Sequence, residues 1–344
     1  MNKKVLLGMS GGVDSSTSAI LLKEKGYEVI GCTMALHGGE KQAIEDAKKV
    51  CEKLGIKHVV YDLQKDFKCM VIQNFIREYT NAKTPNPCIE CNKKIKFGKF
   101  YEKAKELGCD YIATGHYAKV EYSKKYNQYV LKKSNEEKKD QTYFLYTIPK
   151  EEISHIIFPL QDYNSKEEIR KVAEKNELQV ANKKDSQEVC FIPENDYQKF
   201  LLANMDKLPK KGNIRLKSGE VLGKHNGLIN YTIGQRKGLG VSYKYPLYVL
   251  ELDVKNNEVI VGKEEDLYSN ELFATNLNWQ VDVKNNLECL AKIRYRSKEA
   301  KAKVLKKENG VEVIFETPQR AITKGQSVVF YDEDGIVLGG GIIS

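Results

Sequence analysis

Three thiols stand in contexts that suit sulfur or metal chemistry. Cys88 and Cys91 lie in Thr84-Pro85-Asn86-Pro87-Cys88-Ile89-Glu90-Cys91-Asn92, and Cys190 lies in Asp185-Ser186-Gln187-Glu188-Val189-Cys190-Phe191-Ile192-Pro193. The two prolines fix an extended turn and push the residues before them out of helical geometry. Cys91 is then expected at or near the start of a helix running to Leu107. With Lys93, Lys94 and Lys96 close by, its pKa should fall below the free value of ~8.5, which makes a thiolate nucleophile. Cys-x-x-Cys by itself leaves other readings open. It could be half a zinc site, although no second Cys-x-x-Cys or His-x-x-x-His completes one. It could equally be a redox pair or two buried thiols. Cys190, in a short apolar run stopped by a proline, reads on its own as a buried structural thiol.

The second feature is Gly8-Met9-Ser10-Gly11-Gly12-Val13-Asp14-Ser15-Ser16, directly after the apolar run Val5-Leu6-Leu7. Glycines let a backbone approach a ligand closely, and a helix N-terminus offers free N–H groups and partial positive charge. The loop is therefore built to hold phosphate. It lacks the lysine that G-x-x-x-x-G-K-[ST] uses to reach the β/γ-phosphates. Its expected task is to hold the departing pyrophosphate while the α-phosphate is attacked, with Asp14 helping to hold Mg²⁺. The string resembles the PP-loop of the ATP pyrophosphatases, which attach AMP to a substrate oxygen and release pyrophosphate.

These groups need a frame. Apolar runs at residues 4–8, 28–34, 57–62 and 110–118 alternate with helical patterns at 14–24, 44–54 and 65–79. That alternation predicts an α/β doubly wound parallel sheet, with ligands at the carboxyl ends of its strands. Met34, closing the second strand, is then placed to touch a nucleotide base, or it is simply core. Gly115 and His116 end the fourth strand, where the glycine lets a ligand approach and His116 can make polar contact or move a proton. A hairpin follows over 117–122 and 128–132. Lys138-Lys139-Asp140-Gln141 before Phe144-Leu145-Tyr146 can contact RNA or be plain surface. Ser165 and Glu168 form a capping box that opens a helix ending near Asn176.

Past residue 196 the character changes to short β patterns and frequent glycine. Residues 197–205 read as a connecting helix. Strands are expected at 212–216, 220–223, 227–233, 248–253 and 258–262, around the basic loop Gly234-Gln235-Arg236-Lys237-Gly238-Leu239-Gly240. Five more strands between 289 and 343 suggest a small β-barrel. The expected domains are 1–196 (catalytic, ATP-binding), 197–269 (central, β-rich) and 270–344 (C-terminal barrel). In the barrel, Arg294-Tyr295-Arg296 sets two cations around an aromatic, which can stack a base and touch phosphate or remain a solvated strand face.

The 344 residues hold 56 Lys+Arg against 47 Asp+Glu, a net charge of +9, with 41% hydrophobic residues. This is a globular composition that favours an acidic partner such as RNA only modestly. No run approaches the ~18 apolar residues of a membrane span, and the first residues do not read as a signal peptide. Eight cysteines suit a cytoplasmic protein with thiols reduced at rest.

Taken together, in order, the motifs are similar to those of the bacterial tRNA-specific 2-thiouridylases (MnmA type). The resemblance covers nearly the whole chain. It rests on Gly8 to Ser15, Thr84 to Pro87 leading to Cys91-Asn92, Gly115-His116-Tyr117, Lys139-Asp140-Gln141, Ser186 to Ile192 and Gly234-Gln235-Arg236. It implies ATP binding by Gly8, Met9, Ser10, Gly11, Gly12, Val13, Asp14, Ser15, Met34 and Gly115. It implies that Asn86, Pro87 and Cys88 face the target uridine. Cys91 would be the nucleophile, Cys190 the persulfide carrier, and Asp14 a catalytic and Mg²⁺-holding residue. His116, Lys139, Asp140, Gln141, Tyr295, Arg296 and Gln326 would contact tRNA of the Lys, Glu and Gln type at the wobble uridine. A sulfur-donor protein, such as a cysteine desulfurase relay, would load Cys190.

The implied chemistry is coherent. A uracil C2 oxygen is a poor leaving group until it is joined to AMP. Sulfur then arrives from a protein persulfide, and the two cysteines end as a disulfide that a reductant resets. One position departs from part of the family: some members carry Asp where this chain has Cys88. Cys88, Cys91 and Cys190 could therefore hold a [4Fe–4S] cluster with one iron open to sulfide, an alternative to the persulfide route. A further alternative is a PP-loop synthetase that adenylates a small metabolite. Such an enzyme would need neither the three cysteines nor the basic β-rich tail, and no glutaminase-like segment is expected beside it.

Overall fold

A computed structural model describes residues 3–178 and 189–344. Its central strand is Lys4–Gly8 (β1), whose Val5, Leu6 and Leu7 are wholly buried, as an interior parallel strand requires. Glu28–Ala35 (β2) pairs with it on one side and Tyr111–Ala113 (β4) on the other, both parallel. Lys57–Asp62 (β3) and Ile156–Ile157 (β7) form the edges, giving the order β3-β2-β1-β4-β7. The chain thus winds outward from β1 in both directions. The reversal falls between β1 and β4, where a doubly wound sheet opens its ligand crevice.

The helices follow from local signals. Val13–Glu24 (α1) starts directly after the two glycines, and Lys41–Leu54 (α2) buries Ala47, Val50 and Cys51 and stops at Gly55 in the left-handed region. Gln64–Phe67 (α3) and Gln73–Thr80 (α4) are joined by a π-helical turn, Lys68–Ile72. The thiol-bearing helix begins earlier than its pattern suggests. Pro87–Cys91 (α5) has Pro87 at its first position and Asn86 as N-cap, with the Cys88 N–H donating to Asn86 Oδ1 at 3.1 Å. A π-helical stretch, Asn92–Lys99, carries it into Phe100–Glu106 (α6). The expected strand over 110–118 is cut to three residues, because the chain leaves the sheet after Ala113 and forms a separate hairpin of Lys119–Ser123 (β5) and Gln128–Lys132 (β6). The short helix Thr142–Leu145 (α7) follows, and Lys166–Lys175 (α8) opens on Ser165, whose hydroxyl accepts from the Glu168 N–H as the capping pattern predicts.

After Tyr197–Asn204 (α9) comes a four-stranded sheet of Gly212–Leu216 (β8), Val221–His225 (β9), Tyr248–Asp253 (β10) and Glu258–Gly262 (β11). The strand expected at 227–233 is instead a 3-10 turn, Leu228–Asn230. Gly227, with φ 123°, turns the backbone there, and a side chain at that position would run into Pro209. The last part is a closed barrel of Tyr268–Trp279 (β12), Asn286–Lys292 (β13), Ala300–Lys307 (β14), Gly310–Arg320 (β15), Ser327–Tyr331 (β16) and Val337–Ile343 (β17). Closure leaves no unpaired strand edge.

The barrel is fused to the parallel sheet by a shared core. Tyr143 and Tyr146 pack in one apolar cluster with Phe97, Phe100, Val329 and Val337. Their hydroxyls bond Ser327, Tyr143 to its carbonyl at 2.9 Å and Tyr146 to its Oγ at 3.0 Å. Gly340 allows this approach, since a Cβ there would stand 2.6 Å from Tyr146 Cδ2 and 2.7 Å from the Val328 carbonyl. Gly340→Ala should therefore overpack the junction and cost about 1–3 kcal/mol. Urea unfolding with an unchanged midpoint would contradict this.

Candidate active site

The glycine loop sits at the reversal point of the sheet. The Met9 N–H donates to the Cys32 carbonyl at 2.8 Å, which pins the loop to β2. Gly11 has φ 67°, and a Cβ there would stand 2.5 Å from the Ala43 carbonyl at the start of α2. No side chain caps α1 at Gly12, so the first N–H groups of the helix remain directed at the crevice. Ser15 Oγ accepts from the Ser10 N–H and donates to the Gly12 carbonyl, and Ser16 Oγ also donates to Gly12. The loop is thereby pre-shaped. Gly115 abuts the same turn: a side chain there would stand 3.1 Å from the Ser15 nitrogen. Met34 Cε lies 3.5 Å from where a Cβ on Gly8 would be. Loop, Met34 and Gly115 are therefore gathered at one end of the sheet.

Asp14 has two partners that sequence reasoning missed. Lys166 Nζ, on a side chain only 7% exposed, donates to both Asp14 carboxylate oxygens at 2.6 Å. The Tyr117 O–H donates to Asp14 Oδ1 at 3.0 Å. The loop lacks a lysine of its own, and α8 supplies one from 152 residues away in sequence. The signal was present in outline, because the cap at Ser165 fixes Lys166 as the first residue of that helix. What the sequence could not show is where the helix start points.

The thiols converge from two directions. Cys91 is buried in a cluster with Phe67, Phe75, Ile95, Phe191 and Ile192. Phe191 makes edge-on contacts with Phe67 and Phe75, ring centroids 5.6 Å apart in each case. These contacts anchor Cys190 one residue before them. Cys88 and Cys190, when ionised, would each raise the Cys91 thiol further, and Glu40 before α2 raises the Cys190 thiol. Ser186, Gln187 and Glu188 fall outside the described residues.

The expected lowering of the Cys91 pKa is reversed. Burial pushes this thiol up to about 12, and Lys96 offsets only part of that. Lys93 and Lys94 are exposed, whereas Cys91 faces the apolar cluster. Cys88 and Cys190 keep open surface yet are crowded on their remaining sides, and this crowding raises both. All eight cysteines are free. Among the described residues, no three or more His, Cys, Asp or Glu side chains are gathered so as to hold a metal ion, Cys88, Cys91 and Cys190 included. The described residues therefore do not bring the three thiols together as the donor set of a [4Fe–4S] cluster.

Comparison with known proteins decides the family. A model described as the tRNA methyl transferase HUP domain matches residues 3–194, one described as the PRC-barrel domain of the same family matches 198–263, and an aminomethyltransferase beta-barrel model matches 269–343. The tRNA-specific 2-thiouridylase MnmA of Clostridium botulinum (strain Alaska E43 / Type E3) is 49% identical over 99% of this chain and 98% of its own. That of Clostridioides difficile (strain 630) is 47% identical over 100% and 98%. The chain belongs to the tRNA-specific 2-thiouridylase family. The methyl-transfer wording of the domain descriptions does not describe these full-length relatives. A solved NMN synthetase from Francisella tularensis aligns with 54% of this chain and 66% of its own at a TM-score of 0.36 and 16% identity, too distant to bear on function.

For this 2-thiouridylase, the residues expected to contact tRNA divide into two groups. Arg296 is exposed, and Tyr295 lies half-buried with its ring 4.4 Å from that of Phe144. Lys139 is half-buried beside them in sequence position before α7. His116, by contrast, is buried between Phe97 and Phe158, donates or accepts with Thr114 Oγ1 at 2.7 Å, and is held neutral by burial. This is a packing position, not a surface one. Asp140 is buried too, accepting from the Ser134 N–H and the Thr142 hydroxyl. Gln141 accepts from the Tyr117 N–H through its side chain, so these two shape the loop that carries Lys139. Arg294 is a brace: its guanidinium donates to the carbonyls of Ile233 and Ala321 and so ties the barrel to the central sheet.

Because burial holds Cys91 protonated, its alkylation by iodoacetamide in the ligand-free enzyme should climb about tenfold per pH unit to at least ~pH 9.5. A plateau near ~8.5, as for an ordinary thiol, would contradict this.

Proposed function

We propose that the enzyme uses ATP to thiolate the C2 position of the wobble uridine in tRNAs of the Lys, Glu and Gln type, working in the cytoplasm. The observation that carries this reading is the glycine loop at the reversal point of the sheet, in a chain whose Cys91 packs in one cluster with Phe191, the residue after Cys190. The uridine C2 oxygen attacks the α-phosphate, and pyrophosphate leaves into the N–H groups of Ser10 to Ser15. Lys166 stands where charge accumulates on the leaving group. Mg²⁺ bound to the triphosphate would neutralise further charge, with Asp14 as the carboxylate available to it. Asp14 and Lys166 now hold each other, so nucleotide binding exchanges that pair for phosphate and metal.

Sulfur then enters through Cys190. A donor protein of the cysteine desulfurase class leaves it as a persulfide. Cys91 thiolate attacks the Cys190 inner sulfur, the Cys91–Cys190 disulfide forms, and the outer sulfur departs as hydrosulfide. Hydrosulfide adds to the adenylated C2, and AMP leaves with the former C2 oxygen. A cellular dithiol resets the disulfide. Cys91 must lose its proton for this step, and Lys96, the cation that already lowers its pKa against burial, is the group that favours the thiolate. Asn86, Pro87 and Cys88 form the rim against the base. Lys139, Tyr295 and Arg296 face the RNA backbone and loop, while His116, Asp140 and Gln141 act behind them.

Neither alternative is favoured. The metabolite synthetase fails on the full-length similarity, and the cluster fails on the donor set described above.

Two sets of variants test the reading. Asp14→Ala and Lys166→Met should each lower tRNA-dependent AMP formation by at least about a hundredfold, since both act on transition-state charge. AMP formation at the wild-type rate, or equal AMP formation without tRNA, would overturn the assignment. Cys91→Ser and Cys190→Ser should abolish thiolation while leaving ATP and tRNA binding intact. A thiolating Cys190→Ser enzyme would exclude the persulfide route.

A further inference from the structure

The turn before β16 is bound to the loop that presents Asn86, Pro87 and Cys88. Gln326 Nε2 donates to the Thr84 carbonyl at 2.7 Å, and the Thr84 N–H donates to the Lys324 carbonyl at 2.9 Å. Gly325 between them has φ 89°, and a Cβ there would stand 2.9 Å from Lys83 Cβ and 3.0 Å from the Thr84 nitrogen. The two backbones therefore meet as closely as a glycine permits. The barrel side is rigid: the Gly325 N–H donates to the Ile343 carbonyl and the Ile343 N–H to the Gln326 carbonyl, which locks the turn to the end of β17.

The same barrel segment reaches the thiol helix by a second route. Ser327, next in sequence, accepts from Tyr143 on α7. One residue on, the Phe144 carbonyl accepts from Asn92 Nδ2 at 3.0 Å. Asn92 is 2% exposed and follows Cys91 directly. The segment carrying Cys88 and Cys91 is thus held at both ends: at Thr84, four residues before Cys88, by the barrel turn itself, and at Asn92, one after Cys91, by α7, which the barrel's Ser327 holds in turn.

We propose that Gln326 is a positioning residue that sets the target-base loop from the barrel, so that the barrel orients the uridine rim as well as receiving RNA. This rests on the thiolation reading above. Gln326 spends its amide donors on Thr84, inside the protein. Losing that bond leaves Thr84 tied to the barrel through its N–H to Lys324 alone and loosens the Thr84 to Cys88 segment, and a misplaced rim costs rate more than affinity.

The test uses the full chain with Gln326→Glu, which keeps the shape and removes the donor, and with Gly325→Ala, which wedges the contact from the other side. Thermal melts first establish that each variant folds. For both, kcat for thiolation should fall about tenfold while the Kd for tRNA moves less than about twofold. Hydrogen exchange at the Thr84 amide and at residues 86–91 should quicken without tRNA or ATP. A Kd weakened about tenfold with exchange unchanged would make Gln326 a direct RNA contact and overturn the proposal. Unchanged kcat in both variants would overturn it equally. If wild-type enzyme thiolates no tRNA, the reading of function fails by itself, whereas the exchange comparison still decides whether the clasp holds the loop.

Discussion

The buried pairing of Lys166 with Asp14 is the interaction on which the site's architecture turns. A cation taken out of water costs several kcal/mol unless it is paired with good geometry. Here both carboxylate oxygens are engaged at 2.6 Å and a tyrosine hydroxyl supports one of them. The pair joins the start of α1 to the start of α8, so it fixes the glycine loop against the helix that packs beside α1, an element distant in sequence. It also stores, in a ligand-free site, the positive charge that a departing pyrophosphate needs. Removing Asp14 would leave Lys166 buried without its carboxylate, so the two residues act as a unit and their deletions should not add.

A second constraint is apolar. Cys91 faces a cluster of phenylalanines, and the same cluster grips Phe191. Burial raises the pKa of both Cys91 and Cys190, which favours their neutral thiol forms. A persulfide or disulfide formed there would also be shielded from stray thiols. Burial and nucleophilicity pull in opposite directions. In the structure Cys190 is exposed and Cys91 is buried, so the two thiols differ in access.

The parallel sheet and the closed barrel were legible because strand periodicity and turn residues act locally. The glycine loop was legible because its spacing already encodes strand, turn and helix. The Cys91 environment was not. Lys93, Lys94 and Lys96 are adjacent in sequence, but helical geometry sends neighbouring side chains in different directions, and the face that decides the pKa is made by Phe67, Phe75 and Phe191. The partner of Asp14 was hidden for a similar reason, since its position depends on how α8 packs. His116 looked accessible as the residue after a strand-end glycine, yet Phe97 and Phe158, distant in sequence, close over it.

The three-part architecture also explains why the junction is so densely bonded. A tethered RNA-binding barrel would bring substrate near the site, but proximity alone leaves the base free to sample many orientations. Gln280 Nε2 and Asn278 Nδ2 both donate to the carbonyls of Tyr146 and Ile148, and Ser327 takes the hydroxyls of Tyr143 and Tyr146. Barrel and sheet therefore share one frame, which would fix a base held by one surface relative to a phosphate held by the other. In-line attack on an α-phosphate gains most from such a frame, because the entropy of orienting two reactants is lost in folding rather than at each turnover.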